Sequence, residues 1–265
     1  MKKFEGILLA TDLDGTLLRA DKSISEENKR AVEYFKSEGG RFTFITGRTP
    51  IALQALCKLL QPNAPIGCMN GAGIYDYDKD KLIWSVTLSD SVKEIVRDID
   101  TAFPNTGIEL ITEKEIIFYK QNDFTLKHTR DEKLPVIVKH YNDVTDPIVK
   151  ILFADRAENL DELSHAVLAH PRISEFSPIR SDHIYYEIIP LGISKATVIR
   201  KLPELIGESF SRIIAVGDND NDAEMLRAAD IGYAVSNASA AAKASADIVT
   251  VSNEENAIAR IIYGL

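Results

Sequence analysis

The chain has 265 residues, 45% hydrophobic and 27% charged, enough for one large domain or two small ones with substantial cores. A formal charge of -9 without a basic patch argues against a nucleic-acid or anionic-membrane surface, yet leaves room for a small anionic ligand held by a few placed cations. No run approaches about 18 apolar residues, no signal peptide is read, and Cys57 and Cys68 stand in no CxxC spacing, so a cytoplasmic protein without disulfides or thiolate zinc is expected.

The opening run Gly6 to Thr11 reads as a strand covered on both faces, and it ends in Asp12-Leu13-Asp14-Gly15-Thr16-Leu17. Ser25 caps a helix with Ala31, Val32 and Phe35 on one face, stopped by Gly39-Gly40. Phe42 to Thr46 is a second strand, running into Gly47-Arg48. Pro50 starts a helix bearing Ile51, Leu53, Leu56 and Leu60, and Ile66 to Met69 is a third strand running into Asn70-Gly71. This βαβαβ order implies a parallel sheet with right-handed crossovers.

The middle has a different rhythm. Two β-rich runs between Tyr75 and Val86 flank a turn at Asp78-Lys79-Asp80-Lys81. A helix with Val92, Ile95, Val96 and Ile99 follows, then strands at Ile108 to Ile111, Glu115 to Lys120 and Ile148 to Phe153. Another helix carries Leu160, Leu163 and Val167, before strands at Ile173 to Ile179 and Ile184 to Ile189. After Pro190-Leu191-Gly192 the first rhythm returns: a helix capped by Ser194, a strand Arg212 to Val216, a helix from Asp222, a strand Ile231 to Val235, a small-residue helix within Ala238 to Ala246 and a last helix from Asn253. The expected fold is α/β, a doubly wound parallel-sheet (Rossmann-like) core of residues 1–82 and 188–265 with an α+β domain of residues 83–187 inserted.

Period 2 turns Asp12 and Asp14 to one side of the strand end, where unpaired carboxylates cost several kcal/mol each unless a metal or ligand offsets them. A second apolar strand also ends in acid, at Asp218-Asn219-Asp220-Asn221-Asp222. Neither is a calcium loop: the glycine and glutamate such a loop needs are replaced by Ala223 and Ala229 in one, and Leu17 takes the glycine's place in the other. A site shared by two distant strands suits Mg²⁺ with substrate phosphate oxygens. Thr46, Gly47 and Arg48 offer a hydroxyl, a bare N–H and a guanidinium for phosphate, and Lys195 adds a cation at a helix start. Asp12, Asp14 and Asp218 with one dication and Lys195 sum to zero charge, and crowded carboxylates let one of the first pair keep a proton as an acid.

These motifs stand in the order found in the haloacid dehalogenase superfamily. The chain resembles its Cof-like branch with a large α+β (type IIB) cap, through Asp12-Leu-Asp-Gly-Thr-Leu, Ile45-Thr-Gly-Arg, Asn70-Gly-Ala, Gly192-Ile-Ser-Lys195, Gly217-Asp-Asn-Asp-Asn-Asp222 and Asn237-Ala. The resemblance implies a Mg²⁺-dependent phosphatase of small phosphorylated metabolites, with sugar phosphates the favoured class, whose cap closes over the site and chooses the substrate. It implies Asp12 as nucleophile, Asp14 as acid and base, and Mg²⁺ on Asp12, the Asp14 carbonyl and Asp218. Thr46, Lys195 and Asn221 would grip phosphoryl oxygens, with Asp222 orienting Lys195 or the metal shell. Ser236 replaces a glycine common in the family, and Glu255-Asn256 an Asp-Gly; both concern local turns.

Plainer readings compete at some positions. Asp-Gly is a common turn, an arginine at a helix start can simply be solvated, and Gly71-Ala72-Gly73 lacks the third glycine of a dinucleotide fingerprint. His128, His140, His165, His170 and His183 have no metal-ligand spacing and read as surface or satisfied core residues. Two other functions stay open at this level: a sugar phosphomutase, and a phospholigand-binding regulator without turnover.

Overall fold

The computed structural model describes residues 2–265, and the chain divides into two compact units: residues up to Trp84 with Ser194–Leu265, and Ser85–Ile193. The first unit begins with β1 (Ile7–Thr11), α1 (Glu26–Ser37), β2 (Arg41–Phe44), α2 (Pro50–Leu60), β3 (Ile66–Cys68), β4 (Gly73–Asp76) and β5 (Lys81–Ser85). The second holds α3 (Val92–Ala102), β6 (Gly107–Thr112), β7 (Ile116–Lys120), α4 (Asp123–Glu132), β8 (Ile148–Ala154), α5 (Ala157–Ala169), β9 (Phe176–Asp182) and β10 (Tyr185–Pro190). The first resumes with α6 (Lys195–Ile206), β11 (Arg212–Gly217), α7 (Ala223–Ala228), β12 (Ile231–Ala234), α8 (Ala240–Ser245), β13 (Ile248–Val249) and α9 (Ala257–Gly264).

Strand β1 lies between β2 and β11 in a parallel sheet of order β13-β12-β11-β1-β2. The chain winds outward one way from β1 and the other way from β11, so the strand order reverses between these two. Loops leaving adjacent strands at such a reversal part from each other and leave a crevice at the carboxyl ends. Thr11 is level with Val216, and the Asp12 N–H still donates to the Val216 carbonyl at 2.8 Å. The two acidic loops of the sequence are therefore neighbours because the topology makes them so. Local signals hold the helices in place: the Ser25 hydroxyl accepts from the Asn28 N–H, α1 buries Ala31, Val32 and Phe35, and its Asn28 side chain accepts from the Ala259 N–H of α9.

The third strand does not extend this sheet as expected. A single parallel bridge, Ile45 with Gly67, links it to the end of the second, after which β3 pairs antiparallel with β4 in a small sheet β3-β4-β5. The reversal runs through three left-handed residues, Met69 (φ 53°), Asn70 (φ 56°) and Gly71 (φ 93°), of which asparagine and glycine adopt that region most readily. At Gly71 a Cβ would lie 2.0 Å from the Ser194 carbonyl oxygen, so this turn can approach the start of α6 only without a side chain.

In the inserted unit the sheet is antiparallel, in the order β7-β6-β8-β10-β9. One face buries Ile108, Leu110, Ile151, Phe153 and Ile188 against Val92, Ile95, Val96 and Ile99 of α3 and Leu160, Leu163 and Val167 of α5. The edge expected after Glu187 falls inside β10, which pairs with β9 as far as Pro190 with Phe176; proline is tolerated there because the pairing with β8 ends at Ile188, leaving that side of the strand open. Residues 173–175 form a 3-10 turn before β9 rather than its first residues.

Helix α4 has no apolar period, and nothing in the hydropathy pattern announces it. Its buried side chains are Thr125 and His128, and it is held by polar contacts. The Asn122 side chain accepts from the Phe124 and Thr125 N–H groups, and the His128 ring sits between Glu109 (Nδ1 to Oε2, 2.9 Å) and Glu132 (Nε2 to Oε2, 3.1 Å). Burial alone would lower the imidazole, but Glu109 first and then Glu132 outweigh it and raise it to about 10. His128 is thus a satisfied core histidine carrying a charge. Because its folded value exceeds the unfolded one, its stabilisation is complete below about pH 6.5 and is lost as pH rises towards 10, by at most about 1.4 kcal/mol per pH unit. Urea unfolding at pH 7 and pH 9.5 should therefore show a larger loss of midpoint in the native protein than in His128→Gln.

Candidate active site

The site is built where β1 and β11 end. Asp12 follows β1 directly and is 5% exposed, and Asp218 follows β11. Lys195 is the first residue of α6, placed by Ser194, whose side chain and that of Thr197 close a capping box. Its ammonium, 2% exposed, lies 2.6 Å from Asp12 Oδ1 and 2.6 Å from Asp222 Oδ1. The other oxygen of Asp222 accepts from the Asp218 and Asn219 N–H groups at 2.9 and 3.0 Å, so this fully buried carboxylate ties the acidic loop to the lysine. Asp218 Oδ1 accepts from the Thr16 hydroxyl at 2.6 Å.

Asp12, Asp218 and Asp222 bring carboxylate oxygens within 4.8 Å of one another. With all three acids ionised, one ammonium leaves two negative charges uncompensated where two of the three acids are buried and Asp218 is half-buried, an expensive arrangement. Burial raises the Asp12 carboxyl well above its ordinary range; Lys195 opposes the rise, while Asp222 and Asp218 add to it. Burial and then Asp222 raise Asp218 to about 6, against the Thr16 hydrogen bond and Lys195. Burial likewise works against the Lys195 charge, but Asp12 and Asp222 prevail and raise its ammonium further. A dication would cancel the deficit, and a donor set made only of oxygen suits a hard cation such as Mg²⁺. The buried Asn221 Oδ1, without a hydrogen-bond partner, is a further acceptor in the same loop. The residues fit a divalent metal.

Asp14 stands apart from this cluster. Its carboxylate accepts a bidentate pair from Arg48 (Nε to Oδ2, 2.8 Å; a terminal nitrogen to Oδ1, 2.7 Å) and a third contact from Lys22 at 2.7 Å. Partial burial would raise its carboxyl, but Arg48 and then Lys22 hold it at about 2. The expectation that one acid of the pair keeps its proton is thereby split: the upward push falls on Asp12, because Asp12 is the buried one with acidic neighbours, and Asp14 is neutralised by two cations. The charge balance drawn from sequence changes membership too, since the acid completing the cluster with Asp12 and Asp218 is Asp222 in place of the Asp14 carboxylate.

Of the remaining expected residues, Thr46, Gly47 and Arg48 follow β2 and Asn221 follows β11, reaching Asn70 after β3. Thr46 is buried; its hydroxyl accepts from the Arg48 N–H at 3.2 Å, and a Cβ on Gly47 would lie 3.1 Å from the Asn70 amide nitrogen. Asn221 donates from Nδ2 to Asn70 Oδ1 at 3.0 Å, so in this arrangement its amide faces Asn70 and its carbonyl is left as acceptor. Asn237 donates to the Gly15 carbonyl at 2.9 Å and accepts from the Asn253 N–H, bracing the Asp12 loop.

A family model of haloacid dehalogenase-like hydrolases matches residues 9–262. The chain belongs to this family. It is 31% identical to the 5-amino-6-(5-phospho-D-ribitylamino)uracil phosphatase YitU of Bacillus subtilis (strain 168), with 96% of each chain covered. It is 26% identical to the pyridoxal phosphate phosphatase YbhA of Escherichia coli (strain K12), with 97% of each covered. A haloacid dehalogenase-like hydrolase from Bacteroides thetaiotaomicron superposes with a TM-score of 0.84 at 26% identity over 99% of both chains. A sugar phosphatase of subclass IIB shares the fold, with a TM-score of 0.83 at 21% identity over 97% of this chain and 98% of that one. The protein is a Cof-type phosphatase acting on phosphate esters.

Within this phosphatase four site residues had no role from sequence: Thr16, Lys22, Asn70 and Asn237. Thr16, Asn70 and Asn237 lie inside the recognised motifs, where a hydroxyl or amide beside the acids was the available signal; Lys22 lies outside every motif and had none. Gly15 is equally demanding, with φ 84° and a Cβ that would meet Asp218 Oδ2 at 2.5 Å. Gly15→Ala is expected to lose about 1–3 kcal/mol of stability in thermal or urea unfolding. Gly264→Ala, which meets nothing within 4 Å, should stay within about 0.5 kcal/mol of the native protein.

Proposed function

We propose that the chain is a Mg²⁺-dependent phosphatase of small phosphorylated metabolites, with sugar phosphates the favoured class, working through an aspartyl-phosphate on Asp12. The observation that carries this reading is the cluster of Asp12, half-buried Asp218 and Asp222 with Lys195 at 2.6 Å from the two buried members, two charges short of neutrality when all three acids are ionised. Asp12, Asp218 and the Asp14 carbonyl would hold Mg²⁺, which when bound withdraws charge from the phosphoryl group and the attacking carboxylate. Asp12 attacks phosphorus; the ester P–O bond breaks as the Asp12 O–P bond forms, and Asp14, a carboxylate while Arg48 and Lys22 hold it, takes up a proton from solvent as the ester draws Arg48 away and passes that proton to the departing oxygen. Asp14 then takes a proton from water as that water attacks the aspartyl-phosphate, releasing inorganic phosphate and restoring Asp12. Lys195, held by Asp222, offsets phosphoryl charge, and Thr46 and the Gly47 N–H receive its oxygens with Arg48.

The relatives at 31% and 26% identity, named as phosphatases of a phosphoribityl compound and of pyridoxal phosphate, support the small-metabolite class. The sugar preference is the finer part of the proposal. Purified protein with Mg²⁺ should release phosphate from an aryl phosphate and faster from a member of a sugar-phosphate panel, and Asp12→Asn should lower release by at least about 10³-fold. Full turnover by Asp12→Asn would remove Asp12 as nucleophile, and strict dependence on an added bisphosphate would point to a mutase instead.

A further inference from the structure

The proposed acid and base of the reaction is already occupied. Both Asp14 oxygens are engaged by Arg48, and Oδ1 takes Lys22 as well. Arg48 is well covered, its side chain 14% exposed, whereas Lys22 is 55% exposed. Lys22 stands in the turn where its N–H donates to the Arg19 carbonyl at 2.9 Å, with a left-handed φ of 65°. Arg48 also belongs to the Thr46-Gly47-Arg48 segment, whose hydroxyl and N–H groups lie at a strand end suited to phosphate. Its guanidinium is engaged by the Asp14 carboxylate, and the planar fork of a guanidinium matches a carboxylate or a phosphoryl group.

We propose that Arg48 exchanges partners, leaving Asp14 for the substrate's phosphoryl group, and that Lys22 is a positioning residue that keeps the Asp14 carboxylate in register once Arg48 has gone. This rests on the phosphatase reading above and adds to it a resting clamp and a residue with no other role. In the ligand-free protein the clamp holds Asp14 against both cations. An arriving phosphate ester competes for Arg48, the bidentate pair is replaced by guanidinium–phosphoryl contacts, and Asp14 is freed on that side while still tethered to Lys22. Binding the phosphoryl group and releasing the proton-transfer residue become one event, so the residue is released only when an ester is present.

The exchange is tested first by calorimetry with inorganic phosphate in the presence of Mg²⁺. If Arg48 is shared, Asp14→Asn should bind phosphate roughly tenfold tighter than the native protein, because Arg48 no longer has to leave a carboxylate. The same substitution in an Arg48→Ala background should bring little gain. Equal gains in both backgrounds would mean a general charge effect and would overturn the exchange, as would no gain in the native background. The Lys22 role is tested by kinetics. Lys22→Ala should lower kcat for alkyl phosphates, whose leaving oxygen needs a proton, several-fold more than for p-nitrophenyl phosphate, with KM little changed and with rescue by Lys22→Arg. Equal loss on both esters, a change confined to KM, or no rescue would overturn it. Absence of phosphate release from every ester would sink the phosphatase reading, while the phosphate-binding cycle would still decide the exchange.

Discussion

The structure of the site turns on one electrostatic fact: three carboxylates, two of them buried and one half-buried, share a single ammonium at the reversal of a parallel sheet. Charges of one sign so close and so dry repel strongly, and a fold tolerates them only with enough fixed hydrogen bonds and a missing counter-charge supplied from outside. Much of the surrounding architecture serves this arrangement. Thr16 and the loop N–H groups satisfy carboxylate oxygens, Asn237 braces the Gly15 carbonyl, and the Asn70-Gly71 turn lets the start of α6 bring Lys195 into place.

The two acids of the first motif divide the work because their surroundings differ. Asp12 is buried beside Asp218, Asp222 and Lys195, so its charge depends on what enters the cluster. Asp14, two residues on, is partly exposed and meets Arg48 and Lys22, so its charge is fixed by the protein in the absence of ligand. The proposed division of roles, Asp12 as nucleophile beside a metal and Asp14 as acid beside the substrate, rests on this difference in burial across one turn.

Much of this was legible in the sequence, for identifiable reasons. Apolar runs ending in Asp12 and Asp218, with helical periods between strands, announced the parallel core, and Val92, Ile95, Val96 and Ile99 announced α3. What escaped were features set by tertiary partners. Helix α4 has almost no apolar face and stands on the His128 ion pairs, invisible to a hydropathy pattern. The extent of β10 depends on β9 pairing up to Pro190, where local composition reads as a stop. Within the site, the acids and Lys195 were readable as a set, but which acid completes the cluster was not. Spacing alone does not say that Arg48 and Lys22 take the Asp14 carboxylate while Asp222 turns inward.

The most direct test of the charge deficit is the melting temperature of Asp218→Asn at pH 8, with and without Mg²⁺. Removing one uncompensated charge should raise the metal-free melting temperature by a few degrees while abolishing the further rise that Mg²⁺ gives the native protein. A variant that melts lower without metal and is still stabilised by Mg²⁺ as much as the native protein would contradict the account.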